Sequence, residues 1–335
     1  MTQAFETLSY QEQLRRLNPL VESVLPRYGL REVQVVLLQY EDNAVYHITI
    51  PTGAQYVLRV SAATGYDRAE QCSEMQWLLA LRRETNVLVP EPVPTLDGVL
   101  ITTVEVSGVA EPRHCALFGW LPGAPPAPGV PVQMMEHIGA CIASLHLHVE
   151  QFVPPAGFAR PCWDWQRLFG PSSIMGPEKS AALLTPGQRE LLAAVSVCVR
   201  DELQALETTP AHWGLIHADL HRDNILIEDG QVGVIDFDDC GWGHYLFDVA
   251  SVLDSFRRRV LADPRDYPAW REAYLTGYDR VRRLPDQLDA QLATFLVMRD
   301  MTTVNFILGS SNASVQEWGD ERIAQITRHM KDYLG

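Results

Sequence analysis

An α+β fold is the expectation from the sequence, and three observations carry it. The first third of the chain holds three closely spaced runs of β-branched and aromatic residues, VQVVLLQY (33–40), AVYHITI (44–50) and AQYVLRVS (54–61). A proline- and glycine-rich stretch, LPGAPPAPGVPV (121–132), then interrupts the pattern. Beyond it helical periodicity dominates, except for one cluster of short strands within 215–237. A small sheet-bearing part followed by a larger, mainly helical part accounts for all three.

The elements follow in order. Leu14, Leu17, Val21, Val24 and Leu25 recur at helical spacing, so residues 8–27 are predicted to form an amphipathic helix that stops at Gly29. The three β-type runs come next, with Pro51-Thr52-Gly53 as the turn between the second and third. Residues 67–84 read as helix and end before a proline-bearing connector. VLITTVEVSG (99–108) and HCALFGWL (114–121) predict two further strands. Past the linker, Met134, Ile138, Cys141, Ile142 and Leu145 trace one helix face, and Leu288, Leu292, Phe295 and Leu296 trace another. Between these helices, LI, NILIE and QVGVIDF are short strands separated by the Asp229-Gly230 turn. The division expected is a β-rich lobe over 1–117, a hinge and linker over 118–132, and a helical lobe over 133–335.

Composition narrows the function. The chain has 335 residues, 47% of them hydrophobic and 21% charged, enough apolar material for a large core. A net charge of −15 argues against a sequence-independent nucleic-acid binder, which needs a basic surface. Cys72, Cys115, Cys141, Cys162, Cys198 and Cys240 form no CxxC pair, the pattern of reduced thiols. The N-terminus lacks the pattern of a signal peptide, and no apolar run approaches the length of a membrane span. A cytoplasmic protein without membrane contact is expected, and the sequence does not set its oligomeric state.

The stretch LIHADLHRDNILIE (215–228) carries the chemistry. His217 and His221 stand four apart, as zinc ligands on a helix do, but the flanks are β-type and Ala218 occupies the place of the glutamate in HExxH. Zinc is therefore disfavoured. As His-x-Asp-x-x-x-x-Asn, the stretch sets Asp219 and Asn224 five apart on a loop, and Asp236 follows at the end of VGVI. Phosphoryl transfer needs that set: one carboxylate to orient the attacking hydroxyl, and an amide oxygen and a second carboxylate to hold Mg2+ against the phosphates. No Walker motif and no G-x-G-x-x-G occurs, which disfavours P-loop and Rossmann alternatives.

IHADLHRDNILI and VGVIDFDD together resemble the catalytic and metal-binding segment of the aminoglycoside phosphotransferase and choline kinase superfamily, including its homoserine-kinase-like and stress-response-kinase-like branches. YVLRVS, SEMQWLLAL, LFGWLPG, IGACIASLH and YLFDVASVL resemble further segments of that superfamily in the right order, over roughly residues 30–255. The resemblance implies a bilobal, protein-kinase-like fold and an ATP- and Mg2+-dependent kinase acting on a small-molecule hydroxyl. It implies Asp219 as catalytic base and Asn224 and Asp236 as metal ligands. Arg59 would grip the nucleotide phosphates and Glu74, rather than Glu70, would hold it. ATP would lie between the lobes, its adenine against Phe118, Gly119, Trp120 and Leu121. Asp248 would bond the catalytic loop from beneath, and His217 would support that loop. The turn within 39–46 contains no glycine, so Asn43 is the side chain there that could reach phosphate.

For the acceptor, Trp163 and Trp165 flank Asp164, and Asp238, Asp239 and Trp242 lie near the metal loop in sequence. Aromatic faces with a carboxylate would suit an amine-bearing alcohol. The acceptors expected are an amino alcohol, an aminoglycoside or a homoserine-like compound. Two rivals are a Ser/Thr protein kinase of the stress-response type and a nucleotide-binding protein without turnover.

Overall fold

The computed structural model describes residues 5, 8–40, 43–62, 65–109, 111–173, 178, 183–259, 263–310 and 313–335. They divide into two compact units. The first comprises Met1–Arg83, Val89–Leu121 and Pro154–Ala159; the second comprises Glu84–Leu88, Pro122–Val153 and Arg160–Gly335. Among the described residues no helix is long and apolar enough to cross a membrane.

The frame of the first unit is a six-stranded sheet of β1 (Gln34–Tyr40), β2 (Ala44–Thr49), β3 (Gln55–Val60), β4 (Pro92–Val93), β5 (Thr102–Val104) and β6 (Arg113–Gly119). Every pairing is antiparallel, in the order β1-β2-β3-β6-β4, with β5 also on β6. On β2, Ala44, Tyr46 and Ile48 are buried while their neighbours are half-buried, the alternation of a sheet covered on one face. Helix α1 (Tyr10–Val24) contributes Leu17, Leu20, Val21 and Val24 to the same core. It runs into a 3-10 turn, Leu25–Tyr28, closed by Gly29 at φ +72°, so the helix expected over 8–27 changes its winding near Pro26. At the start of α2 (Arg68–Glu84), Asp67 and Glu70 exchange reciprocal backbone-to-side-chain hydrogen bonds, the Glu70 N–H donating to Asp67 Oδ1 and the Asp67 N–H to Glu70 Oε2. The strand expected over 99–108 contracts to β5, and β4, only two residues long, gave no periodic signal.

The second unit is mainly helical. It contains α3 (Val132–Val149), α4 (Trp165–Phe169), α5 (Pro186–Ala205), α6 (Tyr245–Arg259), α7 (Tyr267–Val281), α8 (Leu288–Gly309) and α9 (Ala313–Leu334). Two small antiparallel ladders complete it: β7 (Trp213–Ile216) with β10 (Gly241–His244), and β8 (Ile225–Glu228) with β9 (Gln231–Val234). Glycine-rich β10 has weak strand propensity, and its glycines serve close packing instead. A Cβ on Gly243 would stand 2.5 Å from Ile216 Cδ1, and one on Gly241 2.5 Å from the Pro161 carbonyl oxygen. Helices α3 and α7 meet backbone to backbone. A Cβ on Gly139 would fall 2.1 Å from the Tyr274 carbonyl oxygen, and one on Gly277 2.0 Å from that of Glu136.

Candidate active site

The site in the second unit is built on the loop between β7 and β8. Asp248, fully buried in the first turn of α6, accepts the N–H of His217 on Oδ2 and the N–H of Ala218 on Oδ1, each at 2.8 Å. Its Oδ2 also lies 3.0 Å from His146 Nε2, and His146 Nδ1 lies 2.8 Å from the Tyr278 hydroxyl. Burial pushes the His146 imidazole down despite the Asp248 carboxylate beside it. Tyr278, His146 and Asp248 thus form one buried polar line ending on two loop amides. His217 Nε2 bonds the Ile235 carbonyl at 2.9 Å, and the Asp219 N–H donates to His217 Nδ1 at 3.3 Å. The histidine is therefore an Nε2–H donor that ties the loop to the end of β9.

These constraints hold Ala218 at φ +68° and Asp236 at φ +67°, a region that side chains with a Cβ occupy at a cost. Two of the four non-glycine residues with positive φ among those described therefore adjoin or belong to the motif residues. The strain re-aims the chain just before Asp219 and at Asp236.

Asp219, Asn224 and the segment carrying Asp236 are brought together by hydrogen bonds. Asn224 Nδ2 donates to the Asp219 carbonyl oxygen at 2.9 Å and to Asp219 Oδ2 at 3.3 Å. The Ile235 N–H donates to the Asn224 carbonyl at 3.0 Å, beside the Ile225–Val234 pair of the β8–β9 ladder. With its amide nitrogen turned to Asp219, Asn224 presents its oxygen on the other side. That oxygen and the exposed Asp236 carboxylate are donors of the type a hard divalent cation takes.

Two further residues touch Asp219, and the sequence reading assigned neither. Arg299 Nη2, from the middle of α8, lies 2.7 Å from Asp219 Oδ1. His221 Nε2 lies 3.3 Å from Asp219 Oδ2. Burial would raise the Asp219 carboxyl, but the charges of His221 and Arg299 outweigh it and hold the group well below the usual carboxylate range. In the same way burial would lower His221, but Asp219 raises it to about 9. The Asp223 N–H also donates to His221 Nδ1 at 3.2 Å, which calls for a neutral ring there. Either protonation state leaves Nε2–H donating to Asp219. The sequence does hold a trace of Arg299: with Asp300 it forms a charged pair inside the apolar run TFLVMRDMTTV.

In the first unit, β3 carries Arg59 and α2 carries Glu74. They form a bidentate pair, Nη1–Oε1 at 2.8 Å and Nη2–Oε2 at 2.5 Å, with side chains 5% and 1% exposed. Of the two glutamates weighed, Glu74 is the one that meets Arg59, and Glu70 takes part in the start of α2. The Arg59 guanidinium lies 5.3 Å from the centre of the Phe118 ring, which is buried. The Gly119 N–H donates to Glu91 and the Trp120 N–H to Gln55, so both are used within the sheet. Leu121 is the second residue past the end of β6. The Trp120 ring lies 4.4 Å from that of His47. Asn43 Oδ1 accepts the Ala62 N–H at 3.2 Å; Glu41 and Asp42, in the same turn, lie outside the described residues.

The tryptophan-rich stretch departs from the amine-cage expectation. Trp163 is buried, stacks on Phe247 at 5.9 Å, donates to the Asp239 carbonyl and has the Arg167 guanidinium 4.4 Å over its ring. Asp164 caps α4 by accepting the Arg167 N–H at 2.9 Å, and Trp165 donates to Ser196. The position over Trp163 that an ammonium would take is filled by the protein's own arginine. Trp242 is half-buried in β10, and its carbonyl accepts the Trp163 N–H at 2.7 Å. Asp238 and Asp239 are half-buried, and their backbone carbonyls accept from Arg160 and Trp163 respectively.

Comparison with known proteins places this geometry in context. A family model described as "Phosphotransferase enzyme family" matches residues 36–290. A homoserine kinase of Neisseria meningitidis serogroup B is 28% identical over 261 residues, 75% of each chain. The solved structure of a microcompartment-associated aminopropanol kinase superposes with a TM-score of 0.81 at 29% identity, covering 94% of this chain and 97% of that one. An amicoumacin kinase solved with AMP-PNP and Ca2+ superposes at 0.79 with 20% identity, over 97% and 96% of the two chains, and speaks for the fold.

Proposed function

The chain belongs to the phosphotransferase enzyme family, with a protein-kinase-like fold, and from that premise we propose that it transfers the γ-phosphate of ATP to the hydroxyl of a small molecule, with Mg2+. The observation that supports this most is the convergence of Asp219, Asn224 and the Asp236 segment through direct hydrogen bonds. Asp219 is the group that orients the acceptor hydroxyl. Its Oδ2 already receives Asn224 and His221, whereas Oδ1 receives Arg299 alone and keeps a further acceptor site for that hydroxyl. Held ionised by Arg299 and His221, it is a weak base, suited to a loose transition state in which the hydroxyl proton leaves late.

Asn224 and Asp236 would hold Mg2+, which when bound neutralises charge on the phosphates. Arg59 is the proposed phosphate-gripping cation, oriented by Glu74, and an arginine suits phosphate as well as a lysine does. The segment Phe118–Leu121 is the proposed adenine contact; the N–H groups of Gly119 and Trp120 are engaged and Phe118 lies within the ladder between β3 and β4, so Leu121 is the candidate donor. Asn43, bonded to Ala62, is a lesser candidate for phosphate contact. Within the second unit Asp238 and Asp239 remain acceptor candidates, whereas Trp163, Asp164 and Trp165 act as packing and capping residues.

The test is an ATP-consumption assay with Mg2+ over a panel of amino alcohols, hydroxy amino acids, sugars and aminoglycosides. Acceptor-dependent ADP release is expected, with a loss of 100-fold or more, roughly the contribution of a positioned acid–base group, in Asp219→Asn. Equal turnover by that variant, or ATP consumption that no acceptor stimulates, would overturn the reading. Labelling of the protein itself in place of any small acceptor would favour a protein kinase.

A further inference from the structure

We infer that Arg299 selects the acceptor by receiving an anionic group, a carboxylate in the first instance, carried by the alcohol whose hydroxyl Asp219 orients. This rests on the role proposed above for Asp219. The coordination of the Arg299 guanidinium is incomplete. A guanidinium offers five N–H donors in a planar fork. Arg299 places Nη2 on Asp219 at 2.7 Å, and Nη1 lies 3.4 Å from Thr302 Oγ1, a long contact within its own helix. Among the described residues this guanidinium has no other hydrogen-bond partner, although the carboxylates of Asp254 and Asp239 act on it through their charge. Buried Arg282 is more fully engaged: it bonds Glu150 and the carbonyls of Pro210 and Ala211.

The side chain of Arg299 is 14% exposed, so it is held in place yet reachable. The remaining donors therefore open next to the carboxylate proposed to orient the hydroxyl. A fork in that state matches a carboxylate, which it can bind through two parallel hydrogen bonds. An alcohol bearing only an ammonium group would have to bring its positive charge against a guanidinium. An alcohol bearing a carboxylate would complete it. The class this selects is the small hydroxy acid or hydroxy amino acid, not the simple amino alcohol.

Three matched probes test this by titration calorimetry on the full chain with Mg2+ and AMP-PNP present. 4-Hydroxybutyrate carries a hydroxyl and a carboxylate, 3-amino-1-propanol a hydroxyl and an amine, and homoserine all three. Both carboxylate probes are expected to bind at least about tenfold more tightly than 3-amino-1-propanol. Arg299→Gln should erase that preference and Arg299→Lys should keep part of it. The inference is overturned if 3-amino-1-propanol binds as tightly as the carboxylate probes, if the preference survives in Arg299→Gln, or if neither carboxylate probe binds. Should Arg299→Gln fail to fold, the wild-type preference and the lysine variant decide. Titration of AMP-PNP alone reads the nucleotide site separately, so a failure of the kinase reading shows there and leaves the acceptor preference to be judged on its own.

Discussion

Each unit of the molecule holds an arginine against an acid at the centre of its candidate chemistry, and the two pairs are built differently. Arg59 and Glu74 close on each other through two hydrogen bonds with almost no exposure. Arg299 meets Asp219 through one short contact, and Asp219 divides its oxygens among Arg299, His221 and Asn224. A closed bidentate pair fixes a strand to a helix and leaves little to rearrange. A shared carboxylate with a partly used guanidinium fixes direction while leaving hydrogen-bonding capacity for something else. The same two residue types thus yield a brace in one unit and a receptive site in the other.

The contrast breaks first at the brace. Glu74→Ala leaves the Arg59 charge buried and uncompensated and is expected to destabilise the protein by about 3–5 kcal/mol, measured by urea unfolding. Replacing both partners, Arg59→Met with Glu74→Leu, should restore most of that stability while abolishing nucleotide-dependent turnover, because well-packed apolar residues substitute for a buried pair. If the double variant kept its turnover, Arg59 would be a brace and nothing more.

Next comes the acid limb of stability. Burial, with a contribution from the charge of His212, lowers His244 to about 4. The unfolded chain then binds the additional proton between about pH 6.5 and 4, so stability falls as pH drops through that window, by up to about 3 kcal/mol. His244→Phe, which keeps a ring against Trp213 and Phe295, should shrink the fall in chemical unfolding curves taken at pH 7 and pH 4.5. An undiminished fall would place the acid sensitivity elsewhere.

The second pair should yield less readily. Arg299→Gln is expected to cost about 1–2 kcal/mol, since Asp219 retains two other donors and a quarter of its side chain is exposed. A loss as large as that of Glu74→Ala would show that the two pairs are equivalent braces. The smallest effect is expected at Ala218, whose φ of +68° suits glycine. Ala218→Gly should change stability by less than about 1 kcal/mol, whereas Ala218→Val should lower it more, readable as a shift in Tm.

What could be read from the sequence was what is local in it. Asp219, Asn224 and Asp236 are close along the chain, and their loop-and-hairpin setting follows from short apolar runs and one Asp-Gly turn. The fold class and family read from the motif order are those the structure and the comparisons show. Arg59 and Glu74 were legible only through the resemblance of YVLRVS and SEMQWLLAL to family segments, and the structure pairs the two side chains. Arg299 was not, because its partner is set by how α8 packs and no motif spans the separation. The Trp163–Trp165 stretch misled for a related reason: composition states that aromatics and an acid are present, but not that Arg167 has taken the ring and the α4 amide the carboxylate. β10 escaped notice because glycines chosen for clearance carry no strand signal.

The crossing of α3 and α7 at Gly139 and Gly277 reaches further than its own interface. Tyr278 follows Gly277 directly, and its hydroxyl begins the polar line through His146 and Asp248 to the amides of His217 and Ala218. How near the two helix axes can lie therefore bears on where the phenol stands, and from the phenol three successive hydrogen bonds lead to the backbone just before Asp219. The shape of the loop that presents the Asp219 carboxylate is tied, through a relay of hydrogen bonds, to two methyl groups that the chain leaves out.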